Sequence, residues 1–320
     1  MVKRRGTTTA SLAKSSRGGG ALALKKNFFH YYELYLLIIP VLLFYIIFAY
    51  GPMWGAQIAF RKYSPRQGMW NSPWIGLTHF KSFFSTYYAW RLIRNTLLMN
   101  VYGVLFNFPS PIILALLINE LRSRRYKRVV QTITYMPHFI SVVIICALLT
   151  DMLSLKGWFN SILVSFGAIP HSFLTDAGAF RTIFISSNIY QHIGWNSIVY
   201  LSAISNIDPQ LYEAATIDGA GRFRKALSVT LPSMAPIIIT MFILRIGSMM
   251  TVGYEKVLLL YNPATYETAD MISTFVYRKG LLEANYSYST AIGLMNSLVN
   301  FLLLITANFI SRKVSETSLF

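Results

Sequence analysis

The chain has 320 residues, of which 54% are hydrophobic and 13% charged, with a formal net charge of +17. Soluble domains carry about 25% charged residues, so this composition argues against a soluble protein and favours a membrane protein. The positive charge alone would also suit a nucleic-acid partner. The positions of Lys and Arg around membrane spans explain most of the excess, so no nucleic-acid partner is expected.

Apolar blocks long enough to cross a bilayer recur along the chain, since a span needs about 20 mostly apolar residues. The second and fourth blocks also contain several amide side chains, which are tolerated where they face other helices or a wet cavity. The sequence therefore predicts an all-α, polytopic membrane helix bundle with about six transmembrane helices. The predicted spans are Glu33–Trp54, Leu92–Ile118, Val129–Leu149, Thr182–Ile204, Met234–Val252 and Tyr286–Ile310.

The blocks divide the chain into an N-terminal tail over 1–32, a transmembrane domain over 33–310 and a C-terminal tail over 311–320. With the N-terminus inside, the inner segments hold 17 Lys and Arg residues and the outer segments hold 9. Cytoplasmic loops carry the excess of such residues, so both termini are predicted to be cytoplasmic. The basic, polar N-terminal tail is predicted to be disordered and held near anionic lipid headgroups.

The segment 205–232, between the fourth and fifth spans, contains the polar run LYEAATIDGAGRFRKALSVTLP. Asp208 followed by Pro209 is typical of a helix start, with an N-cap residue and then Pro at the first helical position. Gly219 and Gly221 then stop this helix, and a second helix leads into the next span. The segment therefore predicts a charged helix-turn-helix on the cytoplasmic side. The simpler interpretation of the same segment is a plain inter-span loop.

The same run has the spacing Glu-Ala-Ala, three residues, Gly, nine residues, Val, one residue, Leu-Pro. This spacing closely resembles the EAA loop of binding-protein-dependent ABC importer permeases, with Val where Ile is more usual. Stretches such as YLLIIPVLLFYIIFAYGPM, NSPWIGLTHFKSFF and VGYEKVLLLYNPATYETADMISTFVYR are similar to maltose-type carbohydrate permeases of the oligo- and polysaccharide branch, and most of all to alginate-importer permeases. The resemblance covers roughly residues 30–315. It implies that the loop couples to an ATPase through Glu213, Ala214, Ala215, Gly219, Leu231 and Pro232.

The resemblance also implies the rest of the assembly: a second, distinct permease, two ATPase subunits at the loop, and an extracytoplasmic solute-binding protein, all at a bacterial inner membrane. The chain itself is expected to be non-catalytic, with ATP and Mg²⁺ bound by the partner ATPases, because it has no P-loop, catalytic triad or metal-ligand spacing. An ABC permease for another solute class is one alternative. A secondary transporter is another, but it would need intramembrane acidic residues, and Glu33 and Asp151 lie only at span edges.

Polar and aromatic side chains within the spans are candidates for the translocation path. Arg245 is a candidate because an intramembrane Arg is functional by default, although it could instead pair with a carbonyl or acidic group in the partner permease. Gln191 and Trp195 are four residues apart and so share a helix face, where an amide beside a flat ring suits a sugar. The same side chains could instead hold the helices together. The candidates are Asn188, Gln191, Trp195, Tyr200, Arg245, Asn296 and Asn300.

Overall fold

The computed structural model describes residues 32–248 and 253–314. Helices make up the regular structure of this part of the chain, together with one isolated antiparallel bridge between Arg61 and Trp74. The all-helical prediction is confirmed. The predicted disordered tail covers 1–32; residues 1–31 lie outside the described residues, and Tyr32 is the first residue of a helix.

The chain divides into two units, 1–57 and 58–320. In the first unit, helix α1 (Tyr32–Tyr45) continues through a widened turn, Ile46–Tyr50, and a short helical turn, Gly51–Met53. Its mostly aliphatic sequence, YELYLLIIPVLLFY, contains Pro40 but no basic residue in the last turn. The helical run from Tyr32 to Phe60 is long and apolar enough to cross a membrane, as predicted.

The second unit contains the remaining helices, several of which are separated only by a turn of different pitch. In chain order they are α2 (Gly68–Asn71), α3 (Thr78–Phe84), α4 (Tyr88–Tyr102), α5 (Pro109–Asn119), α6 (Arg124–Tyr135), α7 (Val142–Leu153), α8 (Trp158–Ser165), α9 (Ala177–Ser205), α10 (Pro209–Ile217), α11 (Arg222–Lys225), α12 (Leu231–Ser233), α13 (Ala235–Gly247), α14 (Tyr254–Leu260), α15 (Tyr266–Ala269), α16 (Ile272–Tyr277) and α17 (Tyr286–Val314).

Four helical runs of the described chain are long and apolar enough to span: Tyr32–Phe60, Tyr88–Asn119, Val142–Ser165 and Tyr286–Phe309. The pair Arg222–Ser233 and Ala235–Gly247, bent by 64°, would make a fifth. Helix α9 has 29 residues and so a length of about 44 Å at 1.5 Å per residue, but its amides make it less apolar than these runs. Its role as the sixth span stays a prediction.

The third predicted span begins later than the sequence suggested. Residues from Val129 to Tyr135 belong to the amphipathic helix α6, and Pro137 lies in the turn that ends it. The chain then becomes extended, and the Ser141 hydroxyl caps the new helix α7 by accepting a hydrogen bond from the amide of Ile144. The apolar run read as one span is divided because Pro cannot donate the backbone hydrogen bond that a continuous helix needs.

Three clusters of buried apolar residues hold the second unit together. The first packs α4, α7 and α9 against α14, and includes Phe184 and Val257. The second packs α5, α9 and α13 around Tyr200 and Met234. The third packs α3 and α4 against α16 and α17 around Phe83. Helix α9 takes part in the first two clusters, which pack it against α4, α5, α7, α13 and α14.

Candidate functional site: a polar cavity and an exposed loop

A cavity of about 760 Å³ lies within the second unit. Its walls come from the α4–α5 junction, the start of α7, one face of α9, the end of α13 and the start of α14. Five of the seven predicted path residues line it, namely Asn188, Gln191, Trp195, Tyr200 and Arg245. The structure therefore brings together side chains from α9 and α13 that the sequence could only name separately.

Gln191 is 4% exposed and lies where α9 faces the break before α7. Its side-chain amide donates to the carbonyl oxygen of Ile140 at 3.0 Å, which satisfies a backbone group left without a helical partner by the break. Its own carbonyl oxygen is buried and has no hydrogen-bond partner. Leaving such a buried acceptor unpaired costs about 1–3 kcal/mol.

Trp195 is held in place by two aromatic neighbours. The His138 imidazole stacks on the indole, with ring centroids 4.5 Å apart and planes 3° from parallel, and Phe139 contacts it edge-on. The His138 ring is itself fixed by His192, because their Nδ1 atoms lie 3.1 Å apart. One face of the indole is thus covered, while the side chain as a whole is 42% exposed and lines the cavity.

Arg245 lies near the end of α13 and is only partly exposed. A side chain at Gly103 would place its Cβ atom 3.0 Å from a terminal nitrogen of Arg245, so the absence of a side chain there leaves room for the guanidinium. None of the ion pairs found in the described part of the chain involves Arg245. This cation lines the cavity without a carboxylate partner among the described residues.

Asn296 and Asn300 on α17 do not line this cavity. The Asn300 amide donates to the carbonyl oxygen of Gly247, the last residue of α13, and so links α17 to α13. Asn296 is 8% exposed. The contact of Asn300 with Gly247 fits the alternative that this side chain holds helices together. A role for Asn296 or Asn300 in the translocation path stays a prediction.

The sequence did not identify Lys256 as a cavity residue. It lies in α14, within a segment read as an outer loop, yet it is 3% exposed and lines the cavity. Its ammonium group donates to the Asn188 side-chain oxygen at 2.8 Å. The neighbouring Glu255, which is exposed, supplies a carboxylate to the same lining. Only the predicted path residue Asn188, 68 positions away, could have pointed to this contact.

The predicted helix-turn-helix is present as α10 and α11. The Asp208 carboxylate caps α10 by accepting a hydrogen bond from the Gln210 amide at 2.9 Å, as the Asp-Pro start predicts. Gly219 ends the helix with φ of +76°, a left-handed conformation that favours glycine, and the next amide closes the turn on the Ala215 carbonyl. The Tyr212 hydroxyl lies 3.0 Å from the buried Thr230 hydroxyl, which fixes α10 against the chain leading to α12.

This loop exposes a mixed apolar and charged surface. Glu213 and Ala214 are exposed and Ala215 is partly buried. Beyond them, the side chain of Ile217 is 87% exposed and that of Phe223 is 79% exposed. Large exposed apolar side chains beside small ones are typical of a surface that another protein covers.

The last two predicted coupling residues lie elsewhere. Leu231 and Pro232 begin α12, after the loop has turned back towards the bundle. Leu231 packs against the cluster that contains Ile118 and Met234. In this structure Leu231 connects the loop to the bundle interior instead of joining the exposed surface of α10.

The helical architecture, the cavity within the bundle and the exposed loop are those expected of a polytopic membrane transport subunit. Residues 107–316 match the family described as "Binding-protein-dependent transport system inner membrane component". The chain belongs to this family, whose members are non-catalytic membrane permeases of ABC importers. Membership decides against the self-sufficient secondary transporter.

Three similar proteins match this chain over most of its length. Protein LplB of Bacillus subtilis is 44% identical over 282 residues, which are 88% of this chain and 89% of LplB. The polygalacturonan/rhamnogalacturonan transport system permease protein YteP of the same organism is 41% identical, over 88% of each chain. A chain in the crystal structure of a bacterial ABC transporter involved in the import of the acidic polysaccharide alginate is 43% identical, with a TM-score of 0.86, covering 92% of this chain and 99% of that one.

Proposed function

We propose that this chain is one of two permease subunits of an ATP-driven importer for an acidic oligo- or polysaccharide. The observation that carries the proposal is the cavity, which combines a held indole, amide groups and the cation of Arg245, for which the described residues supply no ion-pair partner. A sugar presents hydroxyls that need hydrogen bonds and a C–H face that packs on a flat ring. The guanidinium adds a partner for a carboxylate, to which Arg binds in bidentate geometry.

The similar proteins support an acidic substrate. The YteP system is named for polygalacturonan and rhamnogalacturonan. A similar solved structure shows a bacterial alginate ABC transporter in complex with an alginate pentasaccharide-bound periplasmic protein. Both names describe polymers that contain carboxylates. This agreement, together with the cationic cavity, favours a uronate over a neutral sugar for the present chain.

The rest of the assembly follows from the family and the loop. A second, distinct permease completes the pore, and a solute-binding protein delivers the substrate outside. Two ATPases, which bind ATP and Mg²⁺, dock on the α10 surface around Glu213. Closure of the ATPases then moves α10, shifts the population of bundle conformations and opens the cavity outward. The excess of Lys and Arg in the predicted inner segments supports a loop and both termini on the cytoplasmic side of the inner membrane.

The test uses the complete complex reconstituted in lipid vesicles with its binding protein. Uptake and ATPase stimulation are measured with alginate and galacturonate pentasaccharides and with maltopentaose. Stimulation by either uronate supports the proposal, whereas stimulation by maltopentaose alone replaces it with a neutral-sugar importer. An active complex that responds to none of these sugars favours an ABC permease for another solute class.

The contribution of Arg245 is tested in the same vesicles. Arg245→Gln should reduce uptake of the uronates by about tenfold or more, since a hydrogen bond to a charged group contributes about 1.5–3 kcal/mol. Arg245→Lys keeps the charge and should retain part of that uptake. Loss of complex assembly in both variants would instead assign Arg245 to helix packing.

A further inference from the structure

Lys256 is a buried cation whose position the known properties of the chain do not explain. It lies in α14, next to Val257, which is fully buried in the cluster that packs α14 against α7 and α9. Its side chain reaches Asn188 on α9, where the ammonium donates a hydrogen bond of 2.8 Å. The neutral amide oxygen of Asn188 is its hydrogen-bond partner, and no ion pair in the described part of the chain involves Lys256.

Burying this ammonium group with a neutral partner is costly. Removing an ammonium group from water costs several kcal/mol unless an anion and further hydrogen bonds replace the lost hydration. An ammonium has three donors, and the Asn188 oxygen accepts from one of them. If the contact served only to attach α14 to α9, an uncharged donor would do so without burying a charge. Because Lys256 lines the cavity, an anion that enters the cavity could reach this group.

We infer that Lys256 is a specificity-determining residue that binds a carboxylate of the substrate inside the cavity. The carboxylate accepts a charge-assisted hydrogen bond from the ammonium group, either beside Asn188 or in its place. Lys256 enters from α14 and Arg245 from α13, so the cavity presents two cations from different elements. The lining contains these two cations and one carboxylate, that of Glu255, so the cavity has an excess of positive charge. Two cations in the lining of one cavity suit an anion that carries more than one carboxylate, as an oligouronate does.

The inference rests on the proposed function and adds a residue and a selectivity to it. A neutral saccharide would leave the ammonium with its amide partner and gain nothing from the charge. A uronate gains a charged hydrogen bond, which corresponds to at least about tenfold in apparent affinity. Lys256 should therefore increase uptake of an oligouronate and leave uptake of a neutral analogue nearly unchanged, which changes the ratio between the two.

The experiment measures that ratio in the reconstituted complex with saturating binding protein. The probes are galacturonate pentasaccharide and the same oligosaccharide with its carboxylates methyl-esterified. Lys256→Gln keeps a hydrogen-bond donor and removes the charge, and Lys256→Arg keeps the charge. Lys279→Gln is the matched control, since Lys279 lies in the same segment but pairs with Glu283 at the surface and does not line the cavity.

Lys256→Gln is expected to lower the acid-to-ester ratio by about tenfold, while Lys256→Arg and Lys279→Gln stay within about twofold of the unmodified chain. An unchanged ratio in an assembled Lys256→Gln complex would overturn the inference and leave the proposed function intact. If Lys256→Gln does not assemble, Lys256→Met supplies the uncharged variant. If neither uncharged variant assembles, the Lys256→Arg complex decides. Equal uptake of the acid and the ester by an assembled Lys256→Arg complex would also overturn the inference. Failure of the unmodified complex to import the uronate would reject the proposed function itself.

Discussion

The close contact between α6 and α9 gives a sharp prediction at Gly194. A Cβ atom at this position would lie 2.1 Å from the carbonyl oxygen and 2.3 Å from the carbonyl carbon of Thr134. The nearest approach must rise from 2.1 Å to at least 3.0 Å, the limit for real Cβ contacts, so Gly194→Ala requires the two helices to separate by about 0.9 Å. The clash is with backbone, so no side-chain rotation relieves it.

Overpacking of this kind costs about 1–3 kcal/mol. The effect extends to the cavity because Trp195 follows Gly194 on α9, while its stacking partner His138 follows α6. We therefore expect Gly194→Ala to lower the temperature at which the purified complex loses its assembled state, and to reduce uptake. The measurement is the fraction of assembled complex after heating, followed by size-exclusion chromatography in detergent.

Gly293→Ala on α17 is the matched control, since a Cβ atom there has no neighbour within 4 Å. Alanine is favoured over glycine in helices by about 1 kcal/mol, so this change should leave the complex as stable as before or slightly more stable. If Gly194→Ala behaves like Gly293→Ala, then the α6 and α9 backbones do not approach as described, and the link from this contact to the cavity is refuted.

Three further predictions address the exposed loop, a buried ion pair and a helix cap. Glu213→Ala should leave the bundle folded but weaken ATP-driven uptake, as measured in vesicles, because α10 would lose an exposed charge at the docking surface. Asp270→Asn should destabilise the chain by about 3 kcal/mol in thermal unfolding, since this fully buried carboxylate pairs with Arg278 at 2.8 Å and its loss leaves a cation uncompensated. The hydrogen bond from His171 holds the pKa of Asp176 below its usual value. At pH values above the pKa of Asp176 in the unfolded chain, the ionised cap therefore stabilises α9. This stabilisation is lost as the pH falls through the lower pKa that Asp176 has in the folded chain. Asp176→Asn should reduce thermal stability at neutral pH, and the difference from the unmodified chain should vanish in acid.

Each of these has its own control. Asp151→Ala removes an exposed acidic residue at the end of α7 and should not affect uptake, so equal activity of this variant and Glu213→Ala would reject the coupling role. For Asp270, the exposed pair of Lys279 and Glu283 is the comparison, because breaking a surface pair costs less than about 1 kcal/mol. For Asp176, a stability difference that persists unchanged in acid would show that its charge does not contribute.

The features that the sequence predicted well are local. Apolar blocks indicated the four helical runs that are long and apolar enough to span, because the bilayer fixes the length that a span needs. Asp208 before Pro209 and the later Gly219 marked the ends of α10, because capping and left-handed turns depend on neighbouring residues alone. The shared face of Gln191 and Trp195 followed from helical periodicity in the same way.

Other features depended on packing between distant parts of the chain. The third span was drawn through Pro137 because composition alone does not show where an apolar run breaks. Lys256 was read as part of an outer loop, and only its contact with Asn188, 68 residues away, places it in the cavity. The stacking of His138 on Trp195 is equally non-local.

Hydrophobic pattern and capping thus determined which segments are helices, because these signals act over one or two turns. The direction in which each polar face points, and so which cations and rings meet in one cavity, was decided by how α4, α9, α13 and α14 pack. Close packing selects one arrangement of whole helices, and no short stretch of sequence contains that information.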